Sequence, residues 1–310
     1  MVKAWLSYQE QVSRLQERGL VISDAHACES FLSEVGYYRF SGYFRYWQKD
    51  PEYGDDRFRN GVGLDIIEGI YRKECEVADV IFAAIRRVEI LLRTRFSYSY
   101  GRRVGSGWNL VQGEGLASPG TSGGLDVGDY VLRDLNRSKE AFIGRYRDDG
   151  EVDNGVFTVA AYRELPVWVA VEVLSFGTLS RCVEASAGSE VLDDIAGSLN
   201  ISKAILPGQI RSLVYLRNRI AHHARIWNHS VLDAPGLPGG RKARKRIERN
   251  YGEFDPRSVY CVLVALDGLL KRASIDDDWL QSEVIPRLAS NQFLERGIRS
   301  PRKYGEMDLS

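Results

Sequence analysis

Between Leu64 and Tyr98 apolar side chains recur at steps of three and four residues. The stripe reads Ala78, Ile81, Phe82, Ile85, Val88, Leu92 and Phe96. A helix has 3.6 residues per turn, so this spacing puts the apolar groups on one face of one long rod. Such a rod buries its stripe only if other helices pack along it. Strand-like alternation bounded by turn signals is scarce elsewhere, so the fold class expected is all-α, a helical bundle. Further helices are expected at 3–19, from a Ser23 or Asp24 cap to Gly36, and at 129–148, 166–175, 177–186, 189–197, 207–227, 257–272 and 276–289. A break of the long helix near Cys75 is allowed for.

Two stretches interrupt this pattern. Residues 101–128 hold nine glycines and no lysine, and residues 228–250 hold Pro235, Pro238 and a glycine pair. The first, too long and flexible for an ordinary connection, reads as an insertion, a lid or a partly disordered loop, and the second as a further insertion. Residues 1–60 are expected to form N-terminal helices with an aromatic block. They pack on a helical domain over 61–310, the whole making one continuous unit of 310 residues. A polar tail closes the chain.

Composition narrows the function. Apolar residues make up 44% and charged residues 27%, as in ordinary globular proteins, and no apolar run is long enough to span a bilayer. The amphipathic N-terminus lacks the apolar core of a signal peptide, so a cytoplasmic location is expected. Basic and acidic side chains balance at 42 each, which argues against coating nucleic acid by bulk charge. A local basic patch remains: Arg241, Lys242, Arg244, Lys245, Arg246 and Arg249 surround one acid, Glu248. Cys28, Cys75, Cys182 and Cys261 are far apart and read as reduced core thiols.

Three of the four histidines, His222, His223 and His229, fall within eight residues. Unrolled as a helix, Leu213, Leu216, Ile220, His223 and Trp227 form a core stripe. Arg211, Tyr215, Asn218, His222 and Arg225 form a polar one. His223 is thereby expected in the core. His222 is either a plain exposed residue or a titratable imidazole beside cations, with Asn218 one turn behind to orient it. Arg217 offers a planar fork for phosphate. It lies about 140° around and about 7.5 Å along an ideal helix from His222. The two would line one cleft only at a helix edge or where a second subunit completes it, which favours a homodimer.

Arg217-Asn218 followed by His222 resembles the R-x4-6-H motif of HEPN ribonucleases. Three more segments resemble the Abi-like abortive-infection family of the AbiD/AbiF type, thought to carry a HEPN fold. They are Val35-Gly-Tyr-Tyr-Arg-Phe-Ser-Gly-Tyr43, Val88-Glu-Ile-Leu-Leu-Arg93, and Leu165-Pro-Val-Trp-Val with Leu174-Ser-Phe-Gly-Thr-Leu179. The block Ala221-His-His-Ala-Arg-Ile-Trp-Asn228 extends the match. The glycine-rich stretch at 101–128 departs from the family pattern. The resemblance implies a HEPN-like bundle and metal-independent endoribonuclease chemistry without a cofactor. The RNA 2′-hydroxyl would attack the adjacent phosphorus, with His222 handling a proton, Arg217 stabilising phosphoryl charge and Asn218 orienting groups. It also implies a role in phage defence or a toxin–antitoxin setting, with an antitoxin or inhibitor as a further partner.

Around that centre, Arg39, Arg45, Tyr215, Arg225 and the basic run Arg241, Lys242, Arg244, Lys245 and Arg246 are candidate RNA contacts. Glu89 falls among apolar neighbours and needs a partner, for which Arg93 is placed one turn on. A partly buried structural pair near the site is expected there. Most of the seven rings in 37–47 read as core. Gly120-Thr-Ser122-Gly-Gly124 matches a nucleophile-elbow pattern but lacks the flanking strand and helix. Adjacent histidines with no nearby cysteine or acid do not make a zinc site. Two alternatives to the enzyme stay open: a non-catalytic RNA-binding or ribonucleoprotein assembly module, and a helical protein scaffold.

Overall fold

A computed structural model describes residues 4–118 and 124–309. It is 61% helix and 5% strand, which makes the chain all-α. The helices are α1 (Tyr8–Glu17), α2 (Ala25–Val35), α3 (Tyr37–Phe44), α4 (Leu64–Arg103), α5 (Gly107–Val111), α6 (Val127–Arg137), α7 (Ala141–Gly144), α8 (Val167–Val173), α9 (Phe176–Ala185), α10 (Glu190–Ser198), α11 (Leu206–Ala221), α12 (Arg241–Tyr251), α13 (Val259–Arg272), α14 (Ile285–Ala289) and α15 (Gln292–Arg299). Two short antiparallel hairpins complete it: β1 (Gln48–Asp50) with β2 (Asp55–Phe58), and β3 (Val152–Asp153) with β4 (Val156–Phe157).

Helix α4 is the axis. It runs 40 residues without a break at Cys75 and packs against α8, α10, α11, α13 and α14. Its expected stripe is buried at Ile81, Ile85, Val88, Leu92 and Phe96. Phe82 departs from that expectation: it is 37% exposed, because it lines an open cleft between α4 and the end of α11. Helix starts follow local chemistry. Ser7 caps α1 in a reciprocal box with Glu10, Asp24 caps α2 and Ser258 caps α13.

Several expectations change. The segment 101–128 is not one long loop: α4 extends through Arg103, and α5 inserts Gly107 against the Leu165 carbonyl. A β-carbon on Gly107 would lie 2.7 Å from that oxygen, so close backbone approach explains this glycine. The Gly-x-Ser-x-Gly match lies, except for Gly124, outside the described residues. Part of 228–250 is also helical, as α12. The tail is not a bare polar strand: α15 buries Phe293, Leu294 and Ile298, and Met307 is 1% exposed against the aromatic block. The Met307 amide donates to the Tyr46 carbonyl, and the Tyr304 ring lies 4.7 Å from that of Tyr46. One hydrophobic core therefore runs from Val12 to Met307. Of the thiols, Cys28, Cys182 and Cys261 are buried, whereas Cys75 is exposed. Among the described residues no helix is long and apolar enough to cross a membrane.

Candidate functional site

The Arg217–His222 segment sits at the end of α11. Leu213 and Leu216 are buried, and α11 packs against α4, α9 and α13. The helix stops at Ala221, six residues before the periodicity suggests. His222 is the cap, and His223 follows with φ +54° in the left-handed region. The Ala224 amide donates to the Arg219 carbonyl and the His223 amide to that of Ile220. This pair of bonds is a Schellman turn, with histidine where glycine is usual.

A buried acid explains why the chain turns here. Glu74, on α4, is 4% exposed. Its Oε1 accepts from the Ile226 amide at 2.5 Å and the Trp227 amide at 3.3 Å. Burial pushes its carboxyl up from the ordinary value, with the two amides opposing. Arginines clamp the same turn through its carbonyls: Arg39 donates to His223 and Arg219 to Arg225. The Tyr46 hydroxyl reaches the Asn228 carbonyl at 3.2 Å. No periodicity in α11 could reveal a turn imposed by Glu74, which stands about 150 residues earlier in the chain.

The turn overturns several expected side-chain positions. His223 is exposed, not in the core, because beyond Ala221 the helical phase no longer holds. Trp227 is buried, but through its indole bond to the Phe293 carbonyl at 2.8 Å and its stack on Tyr43. Arg225 does not join a polar α11 stripe. It donates to the Gly42 carbonyl and lies 4.8 Å over the Tyr46 ring. Arg45 is turned toward the C-terminal segment, with Pro51 and the Tyr304 ring as partners. Tyr215 is occupied by His229, hydroxyl to Nε2 at 2.6 Å with the rings stacked. Burial, then the charges of Arg219 and Arg225, push the His229 ring down to about 4. Glu74, His229 and Arg219 are residues the sequence left unassigned. The i,i+4 spacing of Tyr215 and Arg219 was the available signal.

Other residues do come together. Arg217 points at α4, its Nε 3.8 Å from the Glu89 carboxylate and its Nη1 3.1 Å from the Asn218 oxygen. Glu89 is paired with Arg93 at 2.6 Å, both side chains nearly buried. Arg93 also donates to the Val171 and Leu174 carbonyls at the end of α8. Glu89 is thus fixed by Arg93, while Arg217, 35% exposed, stands in ion-pair range of it without a hydrogen bond. The Asn218 oxygen serves Arg217; among the described residues no hydrogen bond joins it to the His222 ring. His222 itself is exposed at the helix end.

Beside the turn lies a cleft of about 550 Å³ lined by Arg39, Tyr71, Glu74, Cys75, Asp79 and His223 among others. The basic run is elsewhere. Arg241, Lys242, Arg244, Lys245 and Arg246 are exposed on α12. Arg246 and Ile247 share a cavity with Gln209, near the start of α11, and with α13. Gln209 precedes His222 by 13 residues, about 20 Å of helix. The closeness to the histidines expected from sequence is therefore absent. Among the described residues no three His, Cys, Asp or Glu side chains gather as they would around a metal ion.

A family model described as Abi-like protein matches residues 30–228. The chain belongs to the Abi-like protein family. The matched span begins in α2, takes in all of α4 and α11, and ends at Asn228, the last residue of the clamped turn. In this Abi-like protein the family match thus contains Glu74, Glu89, Arg93, Arg217 and both turn histidines. The basic helix α12 lies outside it. No curated protein and no solved structure matches the chain.

Proposed function

We propose that this Abi-like protein is an RNA-cleaving effector of phage defence, acting in abortive infection or as the toxin of a toxin–antitoxin pair. The observation that carries the reading is the end of α11. Arg217 stands in ion-pair range of Glu89, Asn218 lies against it, and His222, its side chain exposed, ends the same helix. A guanidinium and an exposed imidazole at one helix end suit phosphoryl chemistry with proton transfer. In the proposed reaction the 2′-oxygen of RNA bonds to the adjacent phosphorus as its proton leaves to a base. The bond from phosphorus to the 5′-oxygen breaks, and that oxygen takes a proton. The products are a 2′,3′-cyclic phosphate and a 5′-hydroxyl. His222 is assigned to proton transfer and Arg217 to the phosphoryl oxygens. No step in this scheme requires a metal, and DNA, lacking the 2′-hydroxyl, is not a substrate.

The test incubates purified protein with single-stranded RNA in excess chelator and identifies the ends. Cyclic phosphate termini, lost in folded His222→Ala and Arg217→Ala proteins, support the assignment. Undiminished cleavage by either variant sinks it. The exposed cationic helix α12 favours a second reading, an RNA-binding assembly module, in which the same assay gives tight binding without turnover. A protein that cuts cellular RNA needs restraint, so an antitoxin or inhibitor partner belongs to the first reading.

A further inference from the structure

Helix α12 buries no residue fully. Ala243, Ile247 and Tyr251, spaced four apart, are half-buried and seat it on the body, while its other positions are exposed. Between that stripe and helices α11 and α13 lies a cavity of about 550 Å³. Pockets for small organic ligands measure about 300–1,000 Å³. Arg246 and Asn250 reach it from α12, Gln209 from α11, Lys271 and Arg272 from α13, and Asn200 from the loop before α11. Among the described residues no acid lines it. Asp267, on α13, is fully buried and already engaged. Its Oδ2 accepts from the Tyr251 hydroxyl and the Lys271 ammonium, each at 2.7 Å, and its Oδ1 from the Leu280 amide at 3.2 Å. Lys271 is thereby neutralised. Arg246 and Arg272 form no salt bridge among the described residues, unlike Lys271. Arg272 is folded back along α13, its Nη1 donating to the Gly268 carbonyl at 2.8 Å. A β-carbon on Gly268 would lie 2.8 Å from that nitrogen, so the glycine makes room for the guanidinium at the cavity wall.

The same wall holds an acceptor without a donor. Gln209 is 2% exposed. Its Nε2 donates to the Gly236 carbonyl at 2.6 Å, which fixes the orientation of the amide. Its Oε1 is buried and accepts no hydrogen bond. Such an oxygen costs free energy that an incoming N–H recovers. We propose that this cavity binds a nucleoside monophosphate, with the phosphate on Arg246 and Arg272 and the base edge on Gln209. Two unpaired guanidiniums match the charge of a phosphomonoester, about −1.5 to −2 near neutral pH, and each can hold two of its oxygens. The edge of a nucleobase carries the N–H that Gln209 lacks. Leu237, Pro238, Ile247 and Val264 give its faces an apolar wall. A phosphodiester of an RNA backbone brings one charge and no N–H, so it leaves a guanidinium and Gln209 unserved. A mononucleotide serves all three, which favours the small ligand. Once bound, it clasps α12 to α11 and α13. The site does not depend on the ribonuclease proposed at the other end of α11, and α12 and α13 lie beyond the family match.

Isothermal titration calorimetry of the full chain with AMP, GMP, CMP and UMP provides the test. At least one nucleotide is expected to bind with a Kd of about 100 µM or tighter. The matching nucleoside, which lacks the phosphate, and ribose 5-phosphate, which lacks the base, should each bind about tenfold more weakly or worse. Arg246→Gln and Arg272→Gln should each weaken the nucleotide on the order of tenfold. Neither side chain is buried, so both variants should fold, and circular dichroism checks that they do. Arg249→Gln removes a charge from α12 outside the cavity and should leave the affinity within about twofold. Hydrogen exchange of the amides of 241–251 should slow at saturating nucleotide, because the ligand ties α12 down. Failure of all four nucleotides to bind, ribose 5-phosphate binding as tightly as the nucleotide, either cavity variant binding normally, or exchange unchanged at saturation each overturn the proposal. Equal weakening by Arg249→Gln reduces the effect to the general charge of α12 and overturns it too. An RNA oligonucleotide that binds through Arg272, where no mononucleotide does, assigns the cavity to RNA and overturns it likewise.

Discussion

Glu74 shows how much one side chain can decide. It stands on the buried stripe of α4 between Ile70 and Val77, and it ends α11 by accepting the Ile226 and Trp227 amides. Replacing Glu74 with Gln keeps an acceptor oxygen and removes a carboxyl whose charge burial disfavours, so stability near neutral pH should hold or rise. Replacing it with Ala leaves two buried amides unpaired and should cost about 3 kcal/mol. Chemical denaturation of the two variants checks this, and equal losses would show that the turn requires the carboxylate charge and not merely an acceptor oxygen. His229 supplies a pH signature. Its ring is held down to about 4, from 6.5 when unperturbed, by burial and by Arg219 and Arg225. Between those values the unfolded chain binds a proton that the folded chain refuses. Its contribution is therefore complete above about pH 6.5 and drains away as the pH falls toward 4. Thermal unfolding measured over that window should fall less steeply for His229→Gln than for wild type.

At the scale of the element, the last turn of α11 is both strained and clamped. A non-glycine residue in the left-handed region costs on the order of 1 kcal/mol. The Arg39 bond to His223 uses only the backbone carbonyl. His223→Gly should thus stabilise the fold by up to about 1 kcal/mol without disturbing the turn. A melting temperature below that of wild type would mean that the imidazole makes contacts worth more than the strain. Helix α12 offers a separate test. Its cationic face is exposed and remote from His222, so neutralising Arg241, Lys242, Arg244, Lys245 and Arg246 should flatten the salt dependence of RNA binding. The cleavage rate at saturating RNA should stay unchanged, because these residues do not adjoin the helix end that carries the chemistry. A collapse of that rate would place α12 in the working site after all.

For the whole molecule, the ends of the chain are one structural unit with its middle. Met307 is buried against residues of the aromatic block, and Tyr304 lies between Arg45 and Tyr46. Met307→Ala should cost about 3 kcal/mol, a value expected of a core position and far above that of a surface tail. An unfolding free energy within about 0.5 kcal/mol of wild type would detach the tail from the core. Helical periodicity by itself determined the all-α class, the α4 axis with its buried Ile81, Ile85, Val88, Leu92 and Phe96, and the Glu89–Arg93 pair. All of these depend on spacing within one helix, which sequence states directly. The end of α11, the exposure of His223, the capture of Arg225 by Gly42 and of Tyr215 by His229, and the remoteness of α12 were decided by tertiary structure alone. Each depends on a partner far away in sequence or on a backbone reversal, and a buried carboxylate or a left-handed residue resets the helical phase that periodicity assumes.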